Sequence, residues 1–232
     1  MHFPPLTPAT LIRRYKRFLA DCALASGAVI TAHCPNSGSM RGCAEPGQPV
    51  LLSLSDNPQR KLPWTWELYW SGASWVCVNT QRPNAVVAEA ITAGAIPALR
   101  HYPRLRREVA YGTRARVDIL LSAADRPPCY LEVKSCTLLE DDGVVRFPDA
   151  VSDRALRHLG ALTEVVRGGG RAVMLFLIGR EDGRGFAPAD AIDPVYGKAL
   201  RQARADGVEI LAYRTHVSPD KMCLSAAETL LF

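Results

Sequence analysis

The 232-residue sequence lacks the features that mark several common classes of protein. Its longest uninterrupted apolar run, residues 172–178, is far too short to cross a bilayer, which needs about 20 apolar residues. Prolines and a basic cluster occupy the stretch from Met1 to Phe18, where a signal peptide would need a continuous apolar region. The sequence therefore predicts a cytoplasmic protein without a membrane span.

Cysteine is present, but not in a pattern that builds a disulfide framework or a zinc ribbon. The seven cysteines are irregularly spaced and include no CxxC pair, so we expect them to be reduced and mostly structural. His33, Cys34 and Cys43 are close enough in the chain to share a metal, but no fourth ligand is evident. A loop with buried thiols is the favoured interpretation.

A large excess of one charge is also absent, since 28 Lys and Arg against 23 Asp and Glu give a net charge of +5. This balance allows an anionic partner without requiring one. Near the N-terminus, however, basic and aromatic residues are interleaved, as in grooves that track phosphates and stack bases. The candidate nucleic-acid contacts are Arg13, Arg14, Lys16, Arg17, Arg60 and Lys61. A solvated strand face is the alternative for the stretch from Arg13 to Arg17.

Short β-type runs alternate with turn residues between Leu11 and Thr80. The runs predict five strands, over residues 11–24, 28–34, 49–55, 62–70 and 74–80. We therefore predict that residues 1–82 form a small β-barrel of the oligonucleotide-binding (OB) type, which holds nucleic acid on its loops and on one sheet face. Four alternating side chains are predicted to fill the barrel interior: Trp64, Trp66, Leu68 and Trp70.

After Asn79 the pattern becomes that of an α/β domain, which we predict over residues 83–232. The expected order is αβββαβ followed by αβ. Helices are predicted between Pro83 and Pro97, over residues 149–166, and from Asp193 to Gly207. Strands are predicted over residues 105–112, 115–122, 129–138, 171–178 and 208–215. A helix-turn-helix over residues 199–217 is the alternative for the C-terminus, but its alternating, β-branched sequence favours a strand.

Charged residues interrupt the predicted strand over residues 129–138. Glu132 and Lys134 are two residues apart, so their side chains lie on the same face. If this strand forms a hairpin with the strand over 115–122, facing residues have numbers that sum to about 250. Asp118 then lies opposite Glu132, with Cβ atoms roughly 5 Å apart.

Two carboxylates that close, among apolar neighbours, would repel each other and lose solvation. Mg²⁺ or Mn²⁺ would compensate them, because both cations prefer oxygen ligands. Lys134 could then act on the attacking water or on a phosphate. The alternative is a buried Asp–Lys–Glu ion network that holds no metal.

The same residues resemble the D…(D/E)xK core of the restriction-endonuclease-like, or PD-(D/E)xK, phosphodiesterases. The stretches "YGTRARVDIL" and "YLEVKS" are similar to the exonuclease branch of that superfamily. The resemblance implies that Asp118, Glu132 and the carbonyl group of Val133 bind metal and that Lys134 assists the nucleophile. It also implies an acidic residue that holds the metal through water, which by position is Glu89, with Glu108 as its competitor.

The predicted second helix departs from the exonuclease branch, which commonly carries glutamine and tyrosine four residues apart. This chain has Arg154 and His158 at those positions, and we add them to the candidate nucleic-acid contacts.

Seven blocks along nearly the whole chain, among them "HCPNSGSM" and "FPDAVSDRALRHL", resemble the bacterial sugar fermentation stimulation protein A family. The resemblance implies a nonspecific DNA-binding protein, suspected of regulating sugar (maltose) utilisation, with a barrel before a nuclease-like domain. Two functions follow, a metal-dependent nuclease acting on DNA or RNA and a DNA-binding regulator without catalysis. We favour the nuclease, because intact carboxylates repel phosphate unless a metal intervenes.

Overall fold

The computed structural model describes residues 1–111 and 115–232, and its first domain is a closed barrel of five strands. These are β1 (Leu6–Tyr15), β2 (Leu19–Leu24), β3 (Val29–His33), β4 (Pro49–Leu54) and β5 (Trp64–Trp70). They pair in the order β3-β2-β1-β4-β5, and His33 of β3 pairs with Thr65 of β5 to close the barrel. The predicted five-stranded barrel is therefore confirmed.

The strand assignment within the barrel differs from the prediction in two places. Residues 11–24, predicted as one strand, contain the end of β1, a turn over residues 16–18 and all of β2. The predicted last strand is β6 (Trp75–Cys77), which pairs with β5 outside the closed ring. The turn was missed because Lys16 and Arg17 adopt left-handed φ angles of 49° and 63° without any glycine or proline to indicate it.

The four side chains predicted to fill the barrel interior are divided between two cores. Trp66 is buried inside the barrel, and Trp64 packs partly against the same core. Leu68 is buried in a core shared with the second domain, and Trp70 is only partly buried. The predicted alternation fails because the pairing of β4 with β5 contains a register shift.

The second domain is a six-stranded mixed sheet flanked by helices. Its helices are α1 (Pro83–Thr92), α2 (Asp153–Arg167) and α3 (Pro194–Ala205), with a 3₁₀ turn at Pro97–Leu99. The sheet consists of β7 (Arg104–Tyr111), β8 (Ala115–Ser122), β9 (Cys129–Cys136), β12 (Arg171–Ile178), β14 (Glu209–Val217) and β15 (Met222–Ala227). The strand order is β15-β14-β12-β9-β8-β7, with β12 parallel to both of its neighbours.

A second, three-stranded sheet lies beside this one and was not predicted. It contains β10 (Leu138–Leu139), β11 (Val144–Phe147) and β13 (Arg184–Pro188). These strands have five residues or fewer, so their sequences carry no usable alternation. Strand β15 was also missed, whereas β14 is a strand as predicted, which makes the helix-turn-helix alternative wrong.

Local sequence explains where the helices begin. Pro83 occupies the first turn of α1, where a missing N–H costs nothing. Helix α2 begins later than predicted because the Ser152 hydroxyl caps it by accepting the N–H of Ala155. Asp193 caps α3 in the same way, as predicted. In the part of the chain that is described, none of the helices is long and apolar enough to cross a membrane.

A barrel loop over residues 35–40 fastens the barrel to the second domain. The carboxylate of Asp149, which precedes α2, accepts the N–H of Met40 at 2.9 Å, and the Ser39 hydroxyl donates to the main-chain carbonyl of Asp149 at 2.6 Å. Gly38 allows this approach, since a Cβ atom there would lie 2.4 Å from the Asp149 carboxylate. On its other side the loop accepts a hydrogen bond from Thr80 at Pro35.

We expect Gly38→Ala to lower the free energy of unfolding by about 1–3 kcal/mol, because the new methyl group displaces Asp149 from its hydrogen bonds. Gly160→Ala is the matched control. Gly160 lies in α2 with open space around its Cβ position, so this change should raise stability by about 0.5–1 kcal/mol. Urea unfolding measures both, and equal effects of the two substitutions would contradict the close contact between loop and domain.

Candidate metal site at the base of the interdomain cleft

The two predicted carboxylates lie where strands β8 and β9 separate. Ile119 pairs with Leu131, in the register expected from the hairpin, and the described pairing ends there. Asp118 and Glu132 come next along the two strands. Beyond this point the N–H of Val133 donates to the Asp118 carboxylate at 2.8 Å, instead of to a main-chain carbonyl of β8.

The Asp118 carboxylate accepts one hydrogen bond from β9 and one from α1. Besides the Val133 N–H, the side-chain amide of Asn84, in the first turn of α1, donates to its other carboxylate oxygen at 3.0 Å. Burial raises the pKa of Asp118, and the negative charge of Glu132 raises it further, against the opposing effect of these two hydrogen bonds and of Lys134. The site therefore favours a cation that would offset the two carboxylate charges.

Glu132 is 3% exposed and has two partners on one of its oxygens. The Lys134 ammonium group donates to Oε1 at 2.7 Å, and Nδ1 of His158 contacts the same oxygen. Burial raises the pKa of Glu132, but the hydrogen bonds and charges of His158 and Lys134 outweigh it and hold the pKa below its usual value. Glu132 is thus kept ionised.

His158 and Arg154, predicted as nucleic-acid contacts, lie on α2 beside Glu132. Arg154 donates from Nε to Nε2 of His158 at 3.4 Å, while Nδ1 of His158 faces Glu132. Nδ1 of His158 also lies 3.2 Å from the Lys134 ammonium nitrogen, so Glu132, Lys134 and His158 form one cluster of contacts. His158 is therefore a direct partner of Glu132, which the four-residue spacing on one helix face could have indicated.

Asp118, Glu132 and Lys134 lie at the base of a cleft of about 710 Å³ between the barrel and the second domain. Arg17 of the barrel turn and Arg107 of β7 line it together with Arg154. The cleft thus combines buried carboxylates at its base with positive charge around them, as expected of a site for a phosphate-bearing substrate. Arg107 was not predicted as a contact, because it lies in the second domain, whereas the interleaved basic and aromatic residues that indicated contacts lie in the barrel.

Of the two acidic residues proposed as a further metal contact, only Glu108 reaches the cleft. Its neighbours Arg107 and Val109 pair with Ile119 and Val117, so Glu108 lies opposite Asp118. It has a φ of 53° and lines the cleft wall. Glu89 instead forms an ion pair with the α-ammonium group of Met1. It lies five residues after Asn84 on α1, about 140° round the helix, so the two side chains face different directions.

The basic cluster of the barrel is partly structural. Arg13 pairs with Asp21 at 2.9 Å. Arg14, predicted as a nucleic-acid contact, donates to the main-chain carbonyls of Asn36, Gly38 and Ser39 and so holds loop 35–40. Lys16 and Arg17 remain exposed at the turn between β1 and β2.

Arg60 and Lys61 are exposed in the connection before β5 and do not line the cleft.

Within residues 1–111 and 115–232, no three or more His, Cys, Asp or Glu side chains form a group that could hold a metal. Asp118 and Glu132 therefore offer two carboxylates, with the backbone of Val133 beside them. This donor set fits Mg²⁺ or Mn²⁺, since Mg²⁺ is commonly held by one or two carboxylates while keeping several waters. Residues 112–114 of the "YGTRARVDIL" stretch lie outside the described residues.

Comparison with known proteins identifies the family. Residues 12–78 match the "SfsA N-terminal OB domain" and residues 81–221 match the "Sugar fermentation stimulation protein RE domain". This chain belongs to the SfsA family. A sugar fermentation stimulation protein homologue from Acidithiobacillus ferrooxidans is 83% identical over all 232 residues of both chains. A homologue from Geobacter sulfurreducens is 55% identical over 95% of this chain and 94% of its own.

A solved SfsA structure has the same fold as this chain. The Pyrococcus furiosus protein, in complex with Ca²⁺, superposes with a TM-score of 0.90 over 100% of this chain and 98% of its own. The two sequences are 23% identical, so the likeness concerns the fold. It supports the arrangement of an OB barrel followed by an α/β domain.

If Asp118 and Glu132 hold a cation, Asp118→Asn should abolish Mn²⁺ binding in isothermal titration calorimetry, because an amide is a far weaker ligand than a carboxylate. Glu89→Gln removes a carboxylate from the neighbouring helix, outside the cleft, and should leave the binding isotherm unchanged. Equal losses in the two variants would show that the cation binds elsewhere.

Proposed function

We propose that this SfsA-family protein is a divalent-metal-dependent phosphodiesterase that cuts DNA or RNA. The observation that carries the proposal is the juxtaposition of Asp118 and Glu132 at the base of a cleft, with Lys134 bonded to Glu132 at 2.7 Å. The negative charge of Glu132 raises the pKa of Asp118. A cation site needs both carboxylates, whereas a buried ion network around Lys134 would be complete with Glu132 alone.

Mg²⁺ or Mn²⁺ in this site would supply positive charge at the scissile phosphate and make water acidic enough to attack at neutral pH. Asp118 is held ready for this by Asn84 and by the Val133 N–H. The Val133 carbonyl would be the third oxygen ligand, as the resemblance to the PD-(D/E)xK core implies.

Lys134 is the residue that acts on the substrate. Its ammonium group lies at the cleft base, where it can donate to the phosphate oxygens as negative charge develops. His158 contacts the same Glu132 oxygen, with its Nδ1 3.2 Å from the Lys134 ammonium nitrogen, and so remains a partner of Glu132 when Lys134 turns to the substrate.

The partner that this cleft fits best is a polynucleotide. Arg17, Arg107 and Arg154 place cations around the cleft, and phosphates are the natural counterpart. The OB class of barrel commonly binds oligonucleotides. The cation bound to the Pyrococcus furiosus relative, Ca²⁺, prefers oxygen ligands as Mg²⁺ does, which agrees with a carboxylate site.

A DNA-binding regulator of sugar metabolism, without catalysis, is the second candidate. It is favoured by the family name alone. The paired carboxylates count against it, because without a cation they repel any phosphate that enters the cleft.

We expect the purified protein to cut labelled DNA or RNA with Mn²⁺ or Mg²⁺ and not with EDTA. Asp118→Asn should reduce cleavage to background, while leaving the fold intact and metal-free DNA affinity similar or higher, since it removes a negative charge from the cleft. Lys134→Ala should lower the cleavage rate by about 10²–10⁴-fold, because it removes a charge-stabilising donor, and should still bind Mn²⁺.

Lys198→Ala is the matched control, since Lys198 is exposed on α3 and does not line the cleft. Binding of nucleic acid without cleavage under any metal condition would favour the regulator. Loss of several kcal/mol of stability in Asp118→Asn, with no Mn²⁺ binding by the wild type, would assign the cluster to a buried ion network.

A further inference from the structure

The cleft is small and deep relative to a nucleic-acid duplex. Its volume of about 710 Å³ is in the range of pockets that hold one drug-sized ligand. Glu132 at its base is 3% exposed, so a phosphate must enter the cleft to reach it. A paired duplex cannot do this with its bases stacked, whereas one strand can.

The cleft is also held at a fixed width by loop 35–40. On one flank Thr80, just before α1, donates to the Pro35 carbonyl at 2.5 Å, and on the other flank Asp149 accepts the Met40 N–H at 2.9 Å. The Arg14 guanidinium group donates to three main-chain carbonyls of the loop. Widening the cleft for a duplex would break these contacts.

The turn between β1 and β2, over residues 16–18, stands at the edge of this cleft. Arg17 lines the cleft, and Phe18 beside it is 49% exposed. The Phe18 carbonyl accepts the N–H of Cys34, which ties the turn to the start of loop 35–40. An exposed aromatic next to two cations is the combination that stacks a base and contacts its phosphate.

The backbone of the turn adopts left-handed φ angles at two residues that are not glycine. Lys16 and Arg17 are consecutive non-glycine residues with φ of 49° and 63°, a region that such residues rarely adopt. The Arg14 side chain donates to the Arg17 carbonyl and holds the conformation. Strain of this kind persists where surrounding contacts enforce it, and it is concentrated at ligand-binding positions.

We propose that the cleft accepts a single strand of nucleic acid, with Phe18 stacking on an unpaired base and Arg17 contacting the phosphate beside it. This inference rests on the proposed function and narrows its substrate class. The chemistry that is recognised is an unpaired base followed by a phosphate, which single-stranded DNA and RNA share. The end of a duplex would enter the cleft only after its terminal base pairs had opened.

The test measures binding without cleavage, by fluorescence anisotropy of an Asp118→Asn background with EDTA present. The probes are a labelled single-stranded DNA oligonucleotide, its RNA counterpart and the blunt DNA duplex of the same sequence. Adding Phe18→Ala should weaken single-strand binding by roughly 5- to 150-fold, as expected for loss of one stacked base. Phe18→Leu keeps an apolar side chain without a ring and should restore only part of the affinity.

Leu54→Ala is the matched control, because Leu54 is a similarly exposed apolar residue of the barrel, at 52%, but lies where β4 pairs with the start of β1, at the other end of β1 from the turn. It should leave binding unchanged. Duplex binding as tight as single-strand binding, or equal affinities of the Phe18→Ala and Leu54→Ala variants, would overturn the proposal. This experiment measures binding alone, so its result does not depend on whether the protein cuts nucleic acid. Failure of the nuclease proposal and failure of the single-strand proposal are therefore seen in different experiments.

Discussion

The close approach of two buried carboxylates is the constraint on which the site depends. Asp118 and Glu132 lie on adjacent strands, at the position where those strands part, and each would destabilise the other without compensation. The surrounding residues supply that compensation from different elements: Asn84 from α1, Lys134 from β9 and His158 from α2. Side chains from three elements of the second domain thus meet at the position where β8 and β9 separate.

The barrel helps to position the residues around the two carboxylates. It does so through loop 35–40 and through its contact with the start of α1. Glu67 of β5 is buried and forms a bidentate pair with Arg82, immediately before α1. That pair fixes the helix whose first turn carries Asn84. The two domains therefore act as one unit around the cleft, and the contact residues, such as Gly38 and Asp149, are as much part of the site as the charged groups.

Local patterns were sufficient to predict the parts of the site that lie on neighbouring strands. A side-chain period of two and a short connection determine which residues face each other, so Asp118 and Glu132 could be placed together. The role of Asn84 could not be predicted, because α1 is buried along much of its surface and its rotation is set by packing. The role of Arg14 was equally hidden, since its partners are backbone carbonyls that carry no sequence signature.

A crystal soaked with Mn²⁺ would test the central claim most directly, through anomalous scattering from the metal. The account predicts one strong anomalous peak between the carboxylates of Asp118 and Glu132 and the carbonyl of Val133, with Lys134 still in the cleft. Absence of a peak there, with Lys134 and His158 still bonded to Glu132, would contradict it and leave a closed ion network at the base of the cleft.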